Sequence, residues 1–314
     1  MYKELLNKIK EYQYITIYRH KRPDGDASFS SFALKEFIKD NFKDKEVKLC
    51  GFETYDKLPI FEEVSDDFIK NSLAIILDCA NPERVDDDRF RIAKERVIID
   101  HHPTSNILDN DLYIADTKTA AACELLTKIL YSDDFKDYHL NQKVCEYLCL
   151  GILTDSNCFS TSNTTSDTLY YASKLVKDGS LQIADLCEYV FGYTYDDYQK
   201  ITKLREYLKI KDGVGYIILN ENDLAKIGFS YDEAKNHVNE FSSIQELKIW
   251  AIFVYNPKSF LYDASIRSRR KYIINKTCER YNGGGHNNAC GVKSLSEKTL
   301  NNLLKDLTQI ANNK

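Results

Sequence analysis

At 314 residues, with a net charge of −5 and 22 tyrosines, the chain is long enough for one large core or, as read here, two domains. Its acidic balance excludes a broad nonspecific DNA or RNA surface, and its composition excludes disorder and solenoid repeats. A small nucleotide stays admissible, because metals and a few arginines can meet its charge.

The first ten residues read as the start of an amphipathic helix without an apolar h-region, so no signal peptide is expected. No apolar stretch is long enough to span a bilayer. Nine cysteines with no Cys-x-x-Cys pair read as reduced thiols of a cytoplasmic protein. Cys145 and Cys149, four apart on an expected helix, read as small buried apolar residues.

Residues 14–19 form the first expected strand, with His20 at its end. A turn follows, its geometry assigned to Pro23 and Gly25, and a helix runs from Ala27 to Asp40. This junction delivers His20, Asp24 and Asp26 together; the plainer alternative makes the two acids turn and N-cap residues. Residues 46–50 read as a second strand. Leu73–Leu77 is a buried strand running into Asp78, a candidate ligand or a cap for the next turn.

Val97-Ile98-Ile99 then leads into Asp100-His101-His102-Pro103. An apolar run of this kind reads as a buried parallel strand, and ligands of open α/β sheets sit beyond the carboxyl ends of such strands. Imidazoles beside carboxylates suit Mn²⁺, Zn²⁺ or Fe²⁺, whereas the bland reading is a helix N-cap with polar neighbours. A short strand at 113–115 and helices at 119–131 and 142–152 follow, the last leading to Asp155. Acids and imidazoles at aligned strand ends, with no cysteine among them, fit a site for two metals. Of the other histidines, His139 and His237 lie in polar stretches.

Helices are expected at 165–178, 181–190 and 195–210, with no Pro-rich linker. From Val214 the pattern changes to a separate α/β lobe: strands at 214–219, 247–255 and 261–267, and helices at 231–241, 271–280 and 296–311. Ser265-Ile266-Arg267-Ser268-Arg269-Arg270 ends a strand with clustered guanidinium groups, suited to phosphate or to a plain solvated face. Gly283-Gly284-Gly285-His286 is a loop whose amides can approach an anion closely. Together these favour a phosphate clamp.

With these motifs assembled, the chain resembles the DHH family of phosphoesterases, in its oligoribonuclease and pAp-phosphatase branch. The resemblance spans nearly the whole chain. It rests on His20, Pro23-Asp24-Gly25-Asp26-Ala27, Asp78, Asp100-His101-His102, Thr154-Asp155, Arg267-Ser268 and Gly283-Gly284-Gly285-His286. It implies an α/β fold of two lobes: a parallel-sheet DHH domain over 1–190, a helical linker over 191–212, and a DHH-associated substrate-binding domain over 213–314. It further implies one metal on His20, Asp24 and Asp78 and a second on Asp26, Asp78, His101 and Asp155, with Asp78 shared. His102 would face the scissile phosphate, and Asp100 would orient its neighbours. Arg267, Ser268 and residues 283–286 would hold the substrate's phosphate and nucleotide. The chain departs from the family pattern at Phe29, where Gly is usual and where bulk near the site is expected, at Ser156, and at Cys290.

The implied activity is hydrolysis, with two Mn²⁺, of RNAs of two to five nucleotides and of 3′-phosphoadenosine 5′-phosphate (pAp), the second lobe closing on the substrate. Two alternatives stand beside it: a phosphodiesterase for linear dinucleotides such as pApA or pGpG, and a nucleotide-binding regulator with an inert site. No membrane or long duplex partner is expected. A symmetric homodimer is compatible with the chain, which carries no interface signal of its own.

Overall fold

The computed structural model describes residues 1–55, 58, 62–102 and 112–312, so Pro103 of the Asp-His-His stretch lies outside the described residues. The chain divides into two units, Met1–Gly192 and Tyr193–Lys314.

The first unit contains α1 (Tyr2–Glu11), β1 (Tyr14–Tyr18), α2 (Gly25–Asn41), β2 (Glu46–Leu49), α3 (Asp66–Lys70), β3 (Ser72–Leu77), β4 (Glu95–Asp100), β5 (Leu112–Ala115), α4 (Ala122–Leu130), α5 (Gln142–Asp155), α6 (Ser166–Asp178) and α7 (Ile183–Phe191). Its five strands are all parallel, in the order β2-β1-β3-β4-β5. Alternation along the strands supplies two cores. Leu73, Ile75 and Leu77 of β3 pack with α1, α2, α4 and α5, while Ala74 and Ile76 face the other way, towards Ile69 of α3 and Phe90. Phe29 is wholly buried in the first core, its ring 6.2 Å from and stacked on Tyr147 of α5. The bulk expected near the site is thus absorbed between helices.

The second unit contains α8 (Tyr195–Glu206), β6 (Lys209–Lys211), β7 (Val214–Leu219), α9 (Glu221–Ile227), α10 (Tyr231–Asn236), β8 (Ile249–Asn256), β9 (Leu261–Ser268), α11 (Asn275–Glu279), β10 (Gly284–His286), β11 (Ala289–Leu295) and α12 (Glu297–Asn312). The sheet order is β10-β11-β9-β8-β7-β6, antiparallel except between β7 and β8. Ala251, Phe253, Ile266 and Cys290 pack towards α11 and α12, and Trp250, Ile252 and Val254 pack on the opposite face with residues of α8, α9 and α10. Within the stretch 191–212, read from the sequence as a linker, α8 buries Ile201 and Leu204 in this second core.

Several elements differ from their sequence reading. The helix expected to reach Ile210 stops at Glu206, because Asp212 (φ 49°) and Gly213 (φ 81°) make a tight left-handed turn that pairs β6 with β7. The helix expected from 271 begins only at Asn275; the Asn288 side chain donates to the carbonyls of Arg269 and Tyr272 and diverts that backbone. The helix over 231–241 gives way after Asn236 to a 3-10 turn. Most of the glycine stretch is an edge strand rather than a loop.

Candidate metal centre

The carboxyl ends of the parallel strands collect the chemistry of the first unit. His20 follows β1, and its Nδ1 lies 2.9 Å from the Lys21 carbonyl. A carbonyl only accepts, so Nδ1 carries a proton and Nε2 is the ring nitrogen turned to the site. Nε2 is 3.4 Å from Asp78 Oδ2 and 3.7 Å from Asp24 Oδ2. Asp24 also caps α2, accepting from the Ala27 N–H at 3.0 Å, so the capping and site readings hold at once. Asp26, in the first turn of α2, is buried and accepts from the Ala122 and Cys123 amides at 2.6 and 2.9 Å, at the start of α4. The turn itself needs no glycine freedom at residue 25; the left-handed residue is Arg22 (φ 53°). Gly25 is there for space, since a Cβ would sit 2.6 Å from the Thr154 side chain.

Asp78 follows β3 with φ 56°, a conformation costly for a non-glycine residue. It is buried, and Oδ1, at 3.4 Å from His101 Nε2 and 3.3 Å from His102 Nδ1, makes no hydrogen bond among the described residues. His101 follows β4 and repeats the arrangement of His20: Nδ1 lies 3.3 Å from the Thr119 carbonyl and Nε2 faces the acids, 4.0 Å from Asp26 and 3.7 Å from Asp155. Asp155 occupies the last turn of α5. Asp100 accepts from the Ala80 N–H at 2.8 Å and from His102 Nδ1 at 2.8 Å, which fixes the His102 ring.

Ligating atoms within 4.8 Å of one another come from His20, Asp24 and Asp78, from Asp26, His101 and Asp155, and from Asp78, His101 and His102. In the third group, Nδ1 of His102 is engaged by Asp100, so this ring is better placed to donate than to ligate. The floor of the site (His20, Asp26, Asp78, Asp100, His101) is buried, while Asp24, His102 and Asp155 form a more open rim.

The electrostatics demand cations. Burial alone would lower the His20 imidazole, but Asp24 and Asp78 outweigh it and raise it to about 11. His101 is likewise raised, by Asp78, Asp155 and Asp26 against burial. Burial would raise Asp78, yet its three imidazole neighbours hold it well below the carboxylate range. Burial and the like charges of Asp78 and Asp155 push Asp26 up against the pull of His101. Burial, Asp24 and Asp78 raise Asp155 to about 7 against the pull of His101. So much negative charge out of water is stable only with protons on the imidazoles or with metal ions in their place.

Residues 14–152 match the DHH family, N-terminal domain, and residues 213–313 match the DHHA1 domain. The probable bifunctional oligoribonuclease and PAP phosphatase NrnA of Streptococcus mutans is 35% identical over 318 residues, covering 97% of this chain and 99% of its own. The chain belongs to the DHH family of phosphoesterases. The bifunctional oligoribonuclease and PAP phosphatase NrnA of Bacillus subtilis is 29% identical, covering 97% of this chain and 96% of its own. Among solved structures, an exopolyphosphatase-related protein from Bacteroides fragilis shares the fold, with a TM-score of 0.86 at 20% identity over 99% of this chain and 97% of its own. DHH phosphoesterases are metal-dependent, and the Asp100-His101-His102 triplet of this DHH chain stands at the carboxyl end of β4 as described.

In the DHHA1 domain, register places Arg267 of β9 opposite Ala289 of β11, and Ala289 opposite His286 of β10. Opposed residues share a face, so Arg267 and His286 flank a small alanine on one side of the sheet. A Cβ on Gly283 would meet the Gly291 carbonyl at 2.6 Å and one on Gly285 the Ala289 carbonyl at 2.3 Å, whereas Gly284 faces open space. Two of the three glycines therefore serve strand packing. Ser268 departs from its expected role: its O–H goes to the Tyr272 carbonyl at 2.6 Å and its N–H to the Asn288 carbonyl at 3.0 Å, leaving no donor for an anion. Arg269 is also spent internally, on the carbonyls of Leu247 and Ile244. Among the described residues, no helix is long and apolar enough to cross a membrane.

Proposed function

We propose that this chain is a metal-dependent hydrolase of RNAs two to five nucleotides long and of pAp, releasing mononucleotides from the first and AMP from the second. The observation that carries the reading is the buried Asp78 Oδ1, without a hydrogen bond, in a cluster where two imidazole Nε2 atoms face carboxylates rather than donors. The printed activities of the S. mutans and B. subtilis relatives supply the substrate class.

Two divalent ions, taken here as Mn²⁺, fit the donor set of imidazole and carboxylate without thiolate. His20, Asp24 and Asp78 would hold one, and Asp26, Asp78, His101 and Asp155 the other. Bound there, such ions make water acidic near neutral pH and offset charge building on the phosphoryl oxygens. The chain's own residues do the rest. Backbone carbonyls of Lys21 and Thr119 fix the two ligating tautomers. Asp100 aims His102, which would donate from Nε2 to a phosphoryl oxygen. In the second unit, Arg267 and His286, with the open backbone at Gly284, bind the substrate's remaining anionic groups.

The test is mononucleotide release from a labelled RNA dinucleotide and phosphate release from pAp, in parallel, with Mn²⁺ and with chelator. Metal-dependent turnover of both is expected. Turnover of the dinucleotide alone, or of pAp alone, would narrow the enzyme to RNA or to nucleotide phosphate. Faster turnover of pApA or pGpG than of either would move it to cyclic-dinucleotide degradation. Tight pAp binding without any turnover by folded, Mn²⁺-supplied protein would sink the hydrolase reading and leave a binding module.

A further inference from the structure

Seven of the nine cysteines are buried; Cys158 is exposed and Cys187 half-buried. These two accessible thiols are in contact, Sγ to Sγ at 3.6 Å. Cys187 lies on α7, beside Leu186, which is anchored in the first unit's core. Cys158 lies in the turn that leaves α5, three residues after Asp155. That turn is unusual in its backbone: Asn157, Cys158 and Phe159 are all left-handed, with φ of 44°, 55° and 62°, and none is glycine. It is held to α5 by the Cys158 N–H on the Leu153 carbonyl at 2.8 Å and by the Phe159 N–H on Oγ of the buried Ser156 at 2.9 Å.

We propose that Cys158 and Cys187 are an oxidation site for hydroperoxides, closing reversibly to a disulfide whose formation loosens the hold of Asp155 on its metal ion. The coupling to the metal rests on the ligand role proposed for Asp155; the disulfide does not. Cys158, the more exposed sulfur, attacks the O–O bond of a hydroperoxide as its thiolate, becoming a sulfenic acid while the alcohol leaves with a proton. Cys187 then attacks the Cys158 sulfur, the S–S bond forms, and hydroxide departs to become water with the second thiol's proton. Two thiols and one hydroperoxide give one disulfide, one alcohol and one water. The two sulfurs supply the two electrons that reduce the O–O bond.

Selectivity comes from access and contact. The other seven thiols are shielded, and these two need no partner search. Bonded sulfurs stand about 2.05 Å apart, so the pair must close by roughly 1.5 Å. With α7 fixed through Leu186, the displacement falls on the turn. The turn transmits it to the last turn of α5, where Asp155 sits.

The test treats reduced, full-length protein with one equivalent of cumene hydroperoxide, then maps disulfides by non-reducing peptide mass spectrometry and titrates Mn²⁺ by calorimetry. The expected result is a Cys158–Cys187 crosslink, a several-fold loss of Mn²⁺ affinity, and recovery of both with dithiothreitol. Cys158→Ser and Cys187→Ser should keep the reduced protein's Mn²⁺ affinity and lose its sensitivity to the peroxide. Over-oxidised Cys158 without a crosslink, or crosslinks elsewhere, would overturn the oxidation site. A correct crosslink with unchanged Mn²⁺ affinity would overturn the coupling. Reduced protein that binds no Mn²⁺ would overturn the metal reading instead, and the crosslink map would still decide the oxidation site by itself.

Discussion

Asp78 concentrates the demands of the site on one side chain: a left-handed backbone, full burial, and three imidazoles around one carboxylate. Asp78→Asn should therefore reduce turnover of both proposed substrates to the level seen with chelator, and the variant should bind less Mn²⁺ by elemental analysis. Wild-type metal content in a folded, inactive variant would contradict its ligand role. Asp100→Asn should be milder, about 10–100-fold in metal affinity or rate, because it only orients His102 and the Ala80 amide. A loss as large as that of Asp78→Asn would place Asp100 on the metal itself. His20, Asp78 and Asp100-His101 stood out in the sequence because a charge directly after an apolar strand has few structural uses, whereas Asp24, Asp26 and Asp155 were candidates through their place in turns and at a helix end. What holds them was not legible. The carbonyls of Lys21 and Thr119 and the amides of Ala122 and Cys123 carry no side-chain signature, so only the folded backbone reveals them. Ser268 shows the converse: the family resemblance implied a substrate contact, and internal acceptors had already claimed its donors.

Among elements, the contact of α5 with α4 and α2 is the one the site depends on most. A Cβ on Gly151 would sit 2.1 Å from Cys123 Sγ and 3.1 Å from Asp26 Oδ1. Alanine would gain roughly 1 kcal/mol in helix propensity, but forced overpacking costs about 1–3 kcal/mol, so the clash should win. Gly151→Ala should lower the denaturation midpoint and weaken Mn²⁺ binding together; a stabilised variant with intact metal affinity would show that α5 can slide at no cost. In the second unit, Asp263 ties three elements, accepting from Tyr231 Oη, from the Ser294 N–H at 2.9 Å and from Asn256 at 3.3 Å. Burial would raise its carboxyl, but these donors outweigh it and hold it below the usual range. Its contribution is therefore full above the ordinary carboxylate pKa and fades as pH falls through the lowered folded value, because the unfolded chain takes up the proton first. Asp263→Asn should cost about 1–3 kcal/mol at neutral pH and flatten the acid side of the stability profile, measured by urea unfolding. A parallel acid limb in both proteins would refute this. The centres of the longer elements followed from apolar period in the sequence, whereas α3, α9, β6, β10 and β11, short or without a clean apolar period, were not read there. Ends did not: the Asp212-Gly213 turn and the Asn288 bridge each replaced helix with something else through one local device.

At the scale of the molecule, the two units keep separate cores, so metal should stabilise only one of them. Mn²⁺ at a hundred times its dissociation constant adds about 2.7 kcal/mol to the state that binds it. In calorimetry the transition assigned to the first unit should move up with Mn²⁺ and down with chelator, while that of the second stays in place; a shift of both would mean the units melt as one. The two-lobe plan was readable from the change of pattern near Val214, and the assignment of α8 was not, because an amphipathic helix says that it packs but not on what. The proposed ligands come from the ends of β1, β3 and β4, the start of α2 and the last turn of α5, so no single stretch of chain carries a complete set. A strand out of register between His20 and Asp155 scatters them. Metal retention is then a built-in certificate of assembly: a colorimetric dye that captures released Mn²⁺ would report the opening of the sheet before any probe of secondary structure changed.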